Sequence, residues 1–157
     1  MLPDVSARLN ARRRQVTHLL VDLISWAEHQ EVHALALVGS YARGAERMAS
    51  DVDVVVLTEH LEQYHPESQW FQTLRPGARL VRTAAWGPVS EQRYRLRSGL
   101  LVEVGLTSPD WARVPLDPGT ARVLGDGHRV LHDPHASVTQ ARAALNPARA
   151  STAGAHP

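Results

Sequence analysis

The first part of the chain carries an apolar pattern with the period of a helix. Between Val5 and about Gln30, apolar side chains recur three or four residues apart, and no glycine or proline interrupts the pattern. The positions on this stripe are Val16, Leu19, Leu20, Leu23 and Ala27. We therefore predict one long amphipathic helix that buries a single face.

Two short apolar runs follow, and their length and β-branched content are typical of buried strands. The first run, VHALALV, covers residues 32–38 and stops at Gly39, and the second, DVDVVVL, covers residues 51–57. The segment SYARGAER after Gly39 allows one or two helical turns. The pattern therefore predicts a strand, a glycine turn, a short helix and a second strand.

The middle of the chain predicts further strands. We expect a short helix near Gln69–Leu74 and a strand over residues 78–86. The runs EQRYRLR (91–97) and LLVEVGL (100–106) flank the turn Ser98-Gly99 and read together as a hairpin. The whole pattern predicts an α/β (α+β) protein with a small mixed β-sheet and flanking helices.

The last third of the chain is less regular. Beyond Ser108, proline, glycine and aspartate alternate with short apolar pieces, which predicts turns, a short helix and a strand near residues 128–131. The chain from Asn146 onward has almost nothing to bury, so we expect residues 146–157 to form a disordered tail. A length of 157 residues with 43% hydrophobic content suits a single domain over residues 1–145.

Composition removes several kinds of chemistry. All 17 basic residues are arginine and there is no cysteine, which excludes lysine-dependent and thiolate mechanisms as well as disulfides. The 17 basic residues nearly balance 16 acidic ones, so no sequence-wide charge favours nucleic acid or a membrane surface, although a local basic patch is compatible with that balance. No apolar run approaches a membrane span or a signal peptide's core, and we expect a cytoplasmic protein.

The candidate chemistry lies where the second predicted strand begins. Asp51 and Asp53 are two residues apart, so on a strand their side chains project from the same face while valines fill the other. Carboxylates held that close repel each other, and a divalent cation between them removes the conflict. Such oxygen ligands suit Mg²⁺ or Mn²⁺, which complete their shells with water and substrate phosphates.

A second feature lies directly after the first predicted strand. Gly39 allows the backbone to approach a ligand, and the helix that follows Ser40 directs N–H groups outward, so this turn predicts a phosphate site that needs no lysine. A third acid, Glu103, stands in an apolar strand, where an unpaired carboxylate is costly. Glu103 can serve the same site, or it can pair with Arg93 or Arg95 across the predicted hairpin.

Weaker candidates surround these positions. Arg43 and Arg47 follow the glycine turn, and each can hold a phosphate or simply be solvated. Trp86 and Tyr94 can stack on a nucleotide base, although aromatic side chains more often pack in the core.

The order and spacing of these residues resemble the nucleotidyltransferase superfamily that includes DNA polymerase beta, and specifically its small minimal nucleotidyltransferase (MNT-type) branch. The shared pattern is an apolar strand, Gly-Ser, ten intervening residues, Asp-x-Asp and a later acidic strand residue. Here GSYARG and SDVD carry it, and the resemblance covers roughly residues 35–106. It implies the nucleotidyltransferase palm fold, a mixed sheet with flanking helices.

The resemblance also implies an activity. It implies a metal-dependent transfer of a nucleoside monophosphate to an acceptor hydroxyl with release of pyrophosphate, and we expect the transferred group to be AMP from ATP. The residues that the resemblance assigns to catalysis and to two Mg²⁺ or Mn²⁺ ions are Asp51, Asp53 and Glu103. Those assigned to the NTP are Gly39, Ser40 and Arg43. Whether Glu103 acts as a ligand, as a general base or as both stays open, because aspartate is common at this position.

The acceptor stays open as well. It can be a small hydroxylated molecule, or a partner protein such as the HEPN-type toxin that antitoxins of this branch adenylylate. A non-catalytic nucleotide-binding module is a third alternative. It is disfavoured because three carboxylates in apolar strands would destabilise a sheet that had only a structural role. Extension of nucleic-acid ends is a fourth, disfavoured by the balanced overall charge.

Overall fold

The computed structural model describes residues 4–145. In chain order the helices and strands of this part are α1 (Val5–His29), β1 (Ala34–Val38), α2 (Ser40–Arg43), β2 (Val52–Leu57), α3 (Trp70–Leu74), β3 (Arg79–Trp86), β4 (Val89–Arg95), β5 (Leu101–Thr107), α4 (Pro118–Gly125), β6 (His128–His132) and α5 (Ser137–Leu145). Short 3₁₀ helices occupy Leu61–Tyr64, Pro66–Ser68 and Pro109–Ala112. The expected tail, residues 146–157, lies outside the described residues, so the proposed domain boundary stays a prediction.

The strands form one mixed sheet in the order β3-β4-β5-β2-β1-β6. The pairing of β2 with β5 is parallel, and the other four pairings are antiparallel. The predicted mixed sheet with flanking helices is therefore confirmed. The parallel pairing determines the site, because it brings together two strands that are distant in the sequence.

Helix α1 covers one face of this sheet. Asp4 caps its start by accepting a hydrogen bond from the Ser6 backbone N–H at 3.4 Å. The apolar stripe predicted from the sequence is the buried one, with Leu19 and Leu23 fully inaccessible to solvent. These side chains share a core with the β2 and β5 residues whose side chains point away from Asp53 and Glu103, among them Val54 and Val104.

The opposite face is covered over only part of its width. A second apolar cluster joins β1 and β2 to α4, α5 and the Pro109–Ala112 helix, and includes Val55, Trp111, Leu124 and Val138. At the other end of the sheet, the long edge strand β3 is largely exposed along its length.

Two elements differ from the sequence-based expectation. Strand β4 begins at Val89, earlier than expected, and pairs with β3 through a tight turn at Gly87, whose φ of 57° is unfavourable for other residues. Helix α5 was not predicted, because Val138 and Ala141 are its only buried side chains in the described part of the chain and give too weak a stripe. Within residues 4–145, no helix is both long and apolar enough to cross a membrane.

Candidate active site

Strand pairing brings the three predicted carboxylates together. Asp53 in β2 lies directly beside Glu103 in the parallel strand β5, and Asp51 immediately precedes β2. One oxygen from each of the three side chains lies within 4.8 Å of the other two. Among the residues that the structure describes, these acids form the single cluster of acidic or histidine side chains close enough to share a metal ion.

The turn at Gly39 lies against the same carboxylates. The antiparallel pairing of β1 with β2 puts Val38 opposite Asp53, so the residue after Val38 passes directly over the Asp53 side chain. Gly39 has φ 75° and ψ −160°, a conformation that is essentially restricted to glycine. A Cβ atom at this position would lie 2.2 Å from Asp53 Oδ2. Both backbone conformation and space therefore require glycine here.

The electrostatics of the cluster favour a cation. Burial, followed by the hydrogen bond and the negative charge of Glu103, raises the pKa of Asp53 from 3.8 to about 8. Burial also raises the pKa of Asp51, although the nearby Arg93 opposes this effect. The Oδ1 atom of Asp53 is buried and has no hydrogen-bond partner in the described chain. A buried, unpartnered carboxylate oxygen beside two further carboxylates fits a divalent cation of the Mg²⁺ or Mn²⁺ type.

Two arginines from the β3–β4 hairpin contact the cluster. Arg93 lies opposite Glu103 in the β4–β5 pairing, and its Nη2 donates to Asp51 Oδ2 at 2.5 Å. Its Nε lies 3.5 Å from Glu103 Oε1, within ion-pair distance but without hydrogen-bond geometry. Arg82 Nη2 lies 3.5 Å from the same Glu103 oxygen and 3.3 Å from Glu91 Oε1. The sequence left two possibilities for Glu103, and the structure shows both: Glu103 belongs to the carboxylate cluster, and it lies within ion-pair distance of Arg93.

The carboxylates open into a cleft of about 330 Å³. Asp53 and Glu103 line it together with Gly39 and Arg43, two of the three residues that the resemblance assigns to the nucleotide. Ser40, the third, begins helix α2 one residue further on. The remaining lining is mixed and comes from Val38, Val54, Val55, Trp86, Val89, Glu91, Gly105, Trp111, Val123 and Asp126.

The two aromatic candidates have different environments. Tyr94 is fully buried, stacks on Phe71 with 4.2 Å between ring centroids, and donates to Gln92 Oε1, so it belongs to the core and not to a base-binding site. Trp86 is 63% exposed at the edge of the cleft, and its Nε1 donates to Glu91 Oε2 at 3.1 Å. Sequence reasoning did not identify Glu91 or Arg82, because their role depends on register across a hairpin.

A larger cleft of about 720 Å³ lies at the opposite end of β1. Its lining includes four histidines and three glutamates: His33, His60, His132, His135, Glu28, Glu31 and Glu59. These groups do not converge closely enough to share an ion within residues 4–145, whereas Asp51, Asp53 and Glu103 do. We therefore assign the candidate active site to the smaller cleft.

The fold and the site define a class: a mixed-sheet α/β protein whose three carboxylates converge beside a glycine turn, an arrangement suited to divalent cations and phosphates. Residues 24–101, about half of the chain, match the family of nucleotidyltransferase domains. The chain belongs to this family, within the superfamily typified by DNA polymerase beta.

Comparison with other proteins adds two facts. The solved structure of a CCA-adding enzyme in its apo form I aligns with this chain at a TM-score of 0.48 and 17% sequence identity. The alignment covers 89% of this chain and 35% of the other, so this chain spans about a third of that enzyme's length. No curated protein has a significant sequence match to this chain.

Proposed function

We propose that this protein transfers AMP from ATP to an acceptor hydroxyl and releases pyrophosphate. The observation that carries the proposal is the convergence of Asp51, Asp53 and Glu103 within 4.8 Å beside the Gly39 turn. Family membership supports nucleotidyl transfer as the reaction class. The preference for ATP over other nucleotides rests on the resemblance to the MNT-type branch.

Each carboxylate has a distinct position in this proposal. Asp51 and Asp53 would hold divalent cations, and Glu103 would hold the one nearer the acceptor. When bound, Mg²⁺ or Mn²⁺ would neutralise charge on the attacking and leaving oxygens of an in-line displacement. The unpartnered Oδ1 of Asp53 is the atom best placed to gain a new ligand.

The turn and its helix would orient the triphosphate. The Gly39 backbone lies directly against the Asp53 carboxylate, since a Cβ atom at Gly39 would lie 2.2 Å from Asp53 Oδ2. A phosphate held at this turn would therefore lie beside the proposed metal ligands. Ser40 would donate its hydroxyl to a phosphate, and Arg43 faces the same cleft as Asp53 and Glu103. The stem of Arg43 lies across Gly127, where a Cβ atom would approach its Cγ to 2.7 Å, so packing restricts the arginine at this end of the cleft.

The proposed reaction is an in-line displacement at the α-phosphorus of ATP. The acceptor oxygen attacks the α-phosphorus of ATP, the bond from that phosphorus to the bridging oxygen of the β-phosphate breaks, and pyrophosphate leaves with the electron pair. Glu103 accepts the proton of the acceptor hydroxyl at a carboxylate oxygen. Glu103 is half-buried and faces the cleft, so it can reach both a ligand and solvent.

The proposal is tested by calorimetric titration of ATP with and without Mn²⁺ or Mg²⁺. We expect metal-dependent binding in the wild type and its loss in the Asp51→Asn, Asp53→Asn double variant. The matched control is Asp126→Asn, which removes a carboxylate that lines the same cleft outside the cluster. Equal metal-dependent affinity in the double variant would contradict the proposal.

A second candidate for the acceptor is a partner protein of the HEPN-toxin type, favoured by the likeness of the GSYARG and SDVD segments to antitoxins of the MNT-type branch. Co-purification from the native host, followed by mass spectrometry for adducts heavier by one AMP, distinguishes the acceptors. An AMP-modified partner protein supports the antitoxin-type activity, whereas a modified small molecule or nucleic acid excludes it for this chain.

A further inference from the structure

The β3–β4 hairpin concentrates positive charge that the balanced composition conceals. Residues 75–97 contain six arginines and a single acid, Glu91, a net charge of +5 (six minus one). Arg75 pairs with Asp22 at 2.6 Å, and Arg82 and Arg93 contact the acids of the active site. The other three, Arg79, Arg95 and Arg97, are exposed, and no carboxylate of residues 4–145 lies within ion-pair distance of them.

Their arrangement is unfavourable for the protein alone. Arg79 and Arg95 lie directly opposite each other in the antiparallel β3–β4 pairing. Opposite residues in such a pair have Cβ atoms about 5 Å apart, and like charges at this separation destabilise the sheet. Both arginines line a recess of about 570 Å³, together with Arg97, whose side chain lies over Gly77. An anion bound between these guanidiniums removes the repulsion.

Two arginines of this recess, Arg79 and Arg95, lie on the same face of the sheet as the active site. Cross-strand partners share a face, so Arg79 and Arg95 lie on the side that also carries Arg82, Arg93 and Glu103. Two cross-strand arginine pairs therefore follow one another along the hairpin: Arg79 with Arg95 at its end, and Arg82 with Arg93 beside the carboxylates. One phosphate cannot contact all of them, because residues two positions apart on a strand are separated by about 7 Å.

The same face also offers an exposed aromatic ring. Trp86 ends β3 beside the cleft, 63% exposed, with its Nε1 fixed by Glu91 and the rest of the ring accessible. The unpaired arginines and Trp86 therefore lie at opposite ends of β3, about 23 Å apart at 3.3 Å per residue. Arginines that hold phosphates and an aromatic ring that stacks on a base, spaced along one groove, are the combination that binds a single strand of nucleic acid.

We propose that the arginine face, defined as Arg79, Arg95 and Arg97 with Trp86 at its far end, binds a single strand of nucleic acid and brings a hydroxyl of that strand to the carboxylate cleft. The assignment of this strand as the acceptor rests on the proposed nucleotidyl transfer. The binding surface itself rests on the charge and geometry of the hairpin.

The test is fluorescence anisotropy of a labelled, mixed-sequence, single-stranded RNA, measured over a series of salt concentrations without ATP or added metal. Each neutralised phosphate of a single strand contributes about −0.7 to the slope of log K against log salt concentration, so three arginines predict a slope of about −2. We expect the Arg79→Gln, Arg95→Gln double variant to bind about tenfold or more weakly, with a slope near −0.7. Trp86→Ala should weaken binding while leaving the slope unchanged.

The control is Arg129→Gln, an exposed arginine in β6 at the opposite edge of the sheet, which should bind RNA like the wild type. The double variant should melt at or above the wild-type temperature, because it removes a repulsive pair and not a structural contact. A slope near zero, an unchanged double variant, or displacement of RNA by equimolar AMP or inorganic phosphate would overturn the proposal.

Failure of this proposal and failure of the proposed function are distinguishable. If the wild type binds RNA without any metal-dependent ATP binding, the arginine face stands and nucleotidyl transfer fails. If metal-dependent ATP binding is present and RNA binding is absent, the proposal for the arginine face is wrong and the proposed nucleotidyl transfer is retained. Asp51→Asn, Asp53→Asn should retain RNA binding, since neither residue belongs to the arginine face.

Discussion

Arg93 donates a hydrogen bond to Asp51 at 2.5 Å from a strand position directly opposite Glu103. The guanidinium therefore supplies the positive charge nearest to a cluster of three acids. Because it contacts Asp51 and Glu103 while Asp53 Oδ1 is left unpartnered, it compensates the cluster only in part. This relationship predicts how the protein responds to losing either the arginine or an acid.

Arg93→Gln should destabilise the metal-free protein, because Asp51 loses its arginine partner and Glu103 keeps only Arg82. The pair is half-buried, so the cost lies between those of surface and buried ion pairs, about 1–2 kcal/mol. Added Mn²⁺ should raise the melting temperature of this variant more than that of the wild type. The measurement is thermal unfolding with and without the ion. Arg82→Gln should change less, because Arg82 is more exposed than Arg93 and does not contact Asp51. Equal shifts in Arg93→Gln and wild type would show that Arg93 does not balance the site.

Glu103→Gln should separate binding from chemistry. Its contacts with Arg82 and Arg93 are both 3.5 Å long, so their loss should lower the melting temperature little. Metal-dependent ATP affinity should persist, while transfer should fall by roughly 10²–10⁴-fold from loss of the general base. Glu91→Gln is the matched control, with the same charge change in the same cleft. Undiminished AMP transfer, or pyrophosphate release at the wild-type rate, would exclude the catalytic role of Glu103.

Gly39→Ala should damage the site through both conformation and space. The new Cβ would clash with Asp53 Oδ2, and the backbone conformation costs a non-glycine residue roughly 1–3 kcal/mol. We expect a lower melting temperature and loss of metal-dependent ATP binding. Gly44→Ala tests conformation alone, because Gly44 has φ 70° and no atom within 4 Å of its Cβ position. Gly44→Ala should retain metal-dependent ATP binding. If Gly39→Ala also retained metal-dependent ATP binding, the turn at Gly39 would not be part of the site.

The stability of the protein should decrease between neutral and mildly acidic pH because of His33. Burial, followed by the nearby charge of His135, lowers the pKa of His33 below 6.5, while Glu59 and Asp133 oppose the shift. The folded protein thus binds fewer protons than the unfolded chain in this range. The contribution of His33 is complete above pH 6.5 and is lost as pH falls toward the lowered pKa.

The measurement is the melting temperature of wild type and His33→Gln between pH 7 and 5. The variant should lose less stability on acidification. His135→Gln should reduce the effect as well, because His135 stacks on His33 with 4.5 Å between ring centroids. Identical pH profiles for all three proteins would rule out this origin.

The sequence by itself determined the local features of this protein. The helical stripe of α1, the apolar runs that form β1 and β2, and the common face of Asp51 and Asp53 all follow from side-chain spacing within one element. The requirement for glycine at position 39 was also visible, as a turn between two buried strands. Such features depend on periodicity and backbone conformation, which neighbouring residues specify.

Only the tertiary structure decided which distant residues meet. The parallel pairing of β2 with β5 puts Glu103 beside Asp53, and the β3–β4 register puts Arg79 opposite Arg95. Strand order and register depend on how both faces of the sheet are buried against the rest of the chain, and spacing within one strand does not contain that information. For the same reason Tyr94 became a core residue and Trp86 an exposed one, although the sequence offered both as equal candidates.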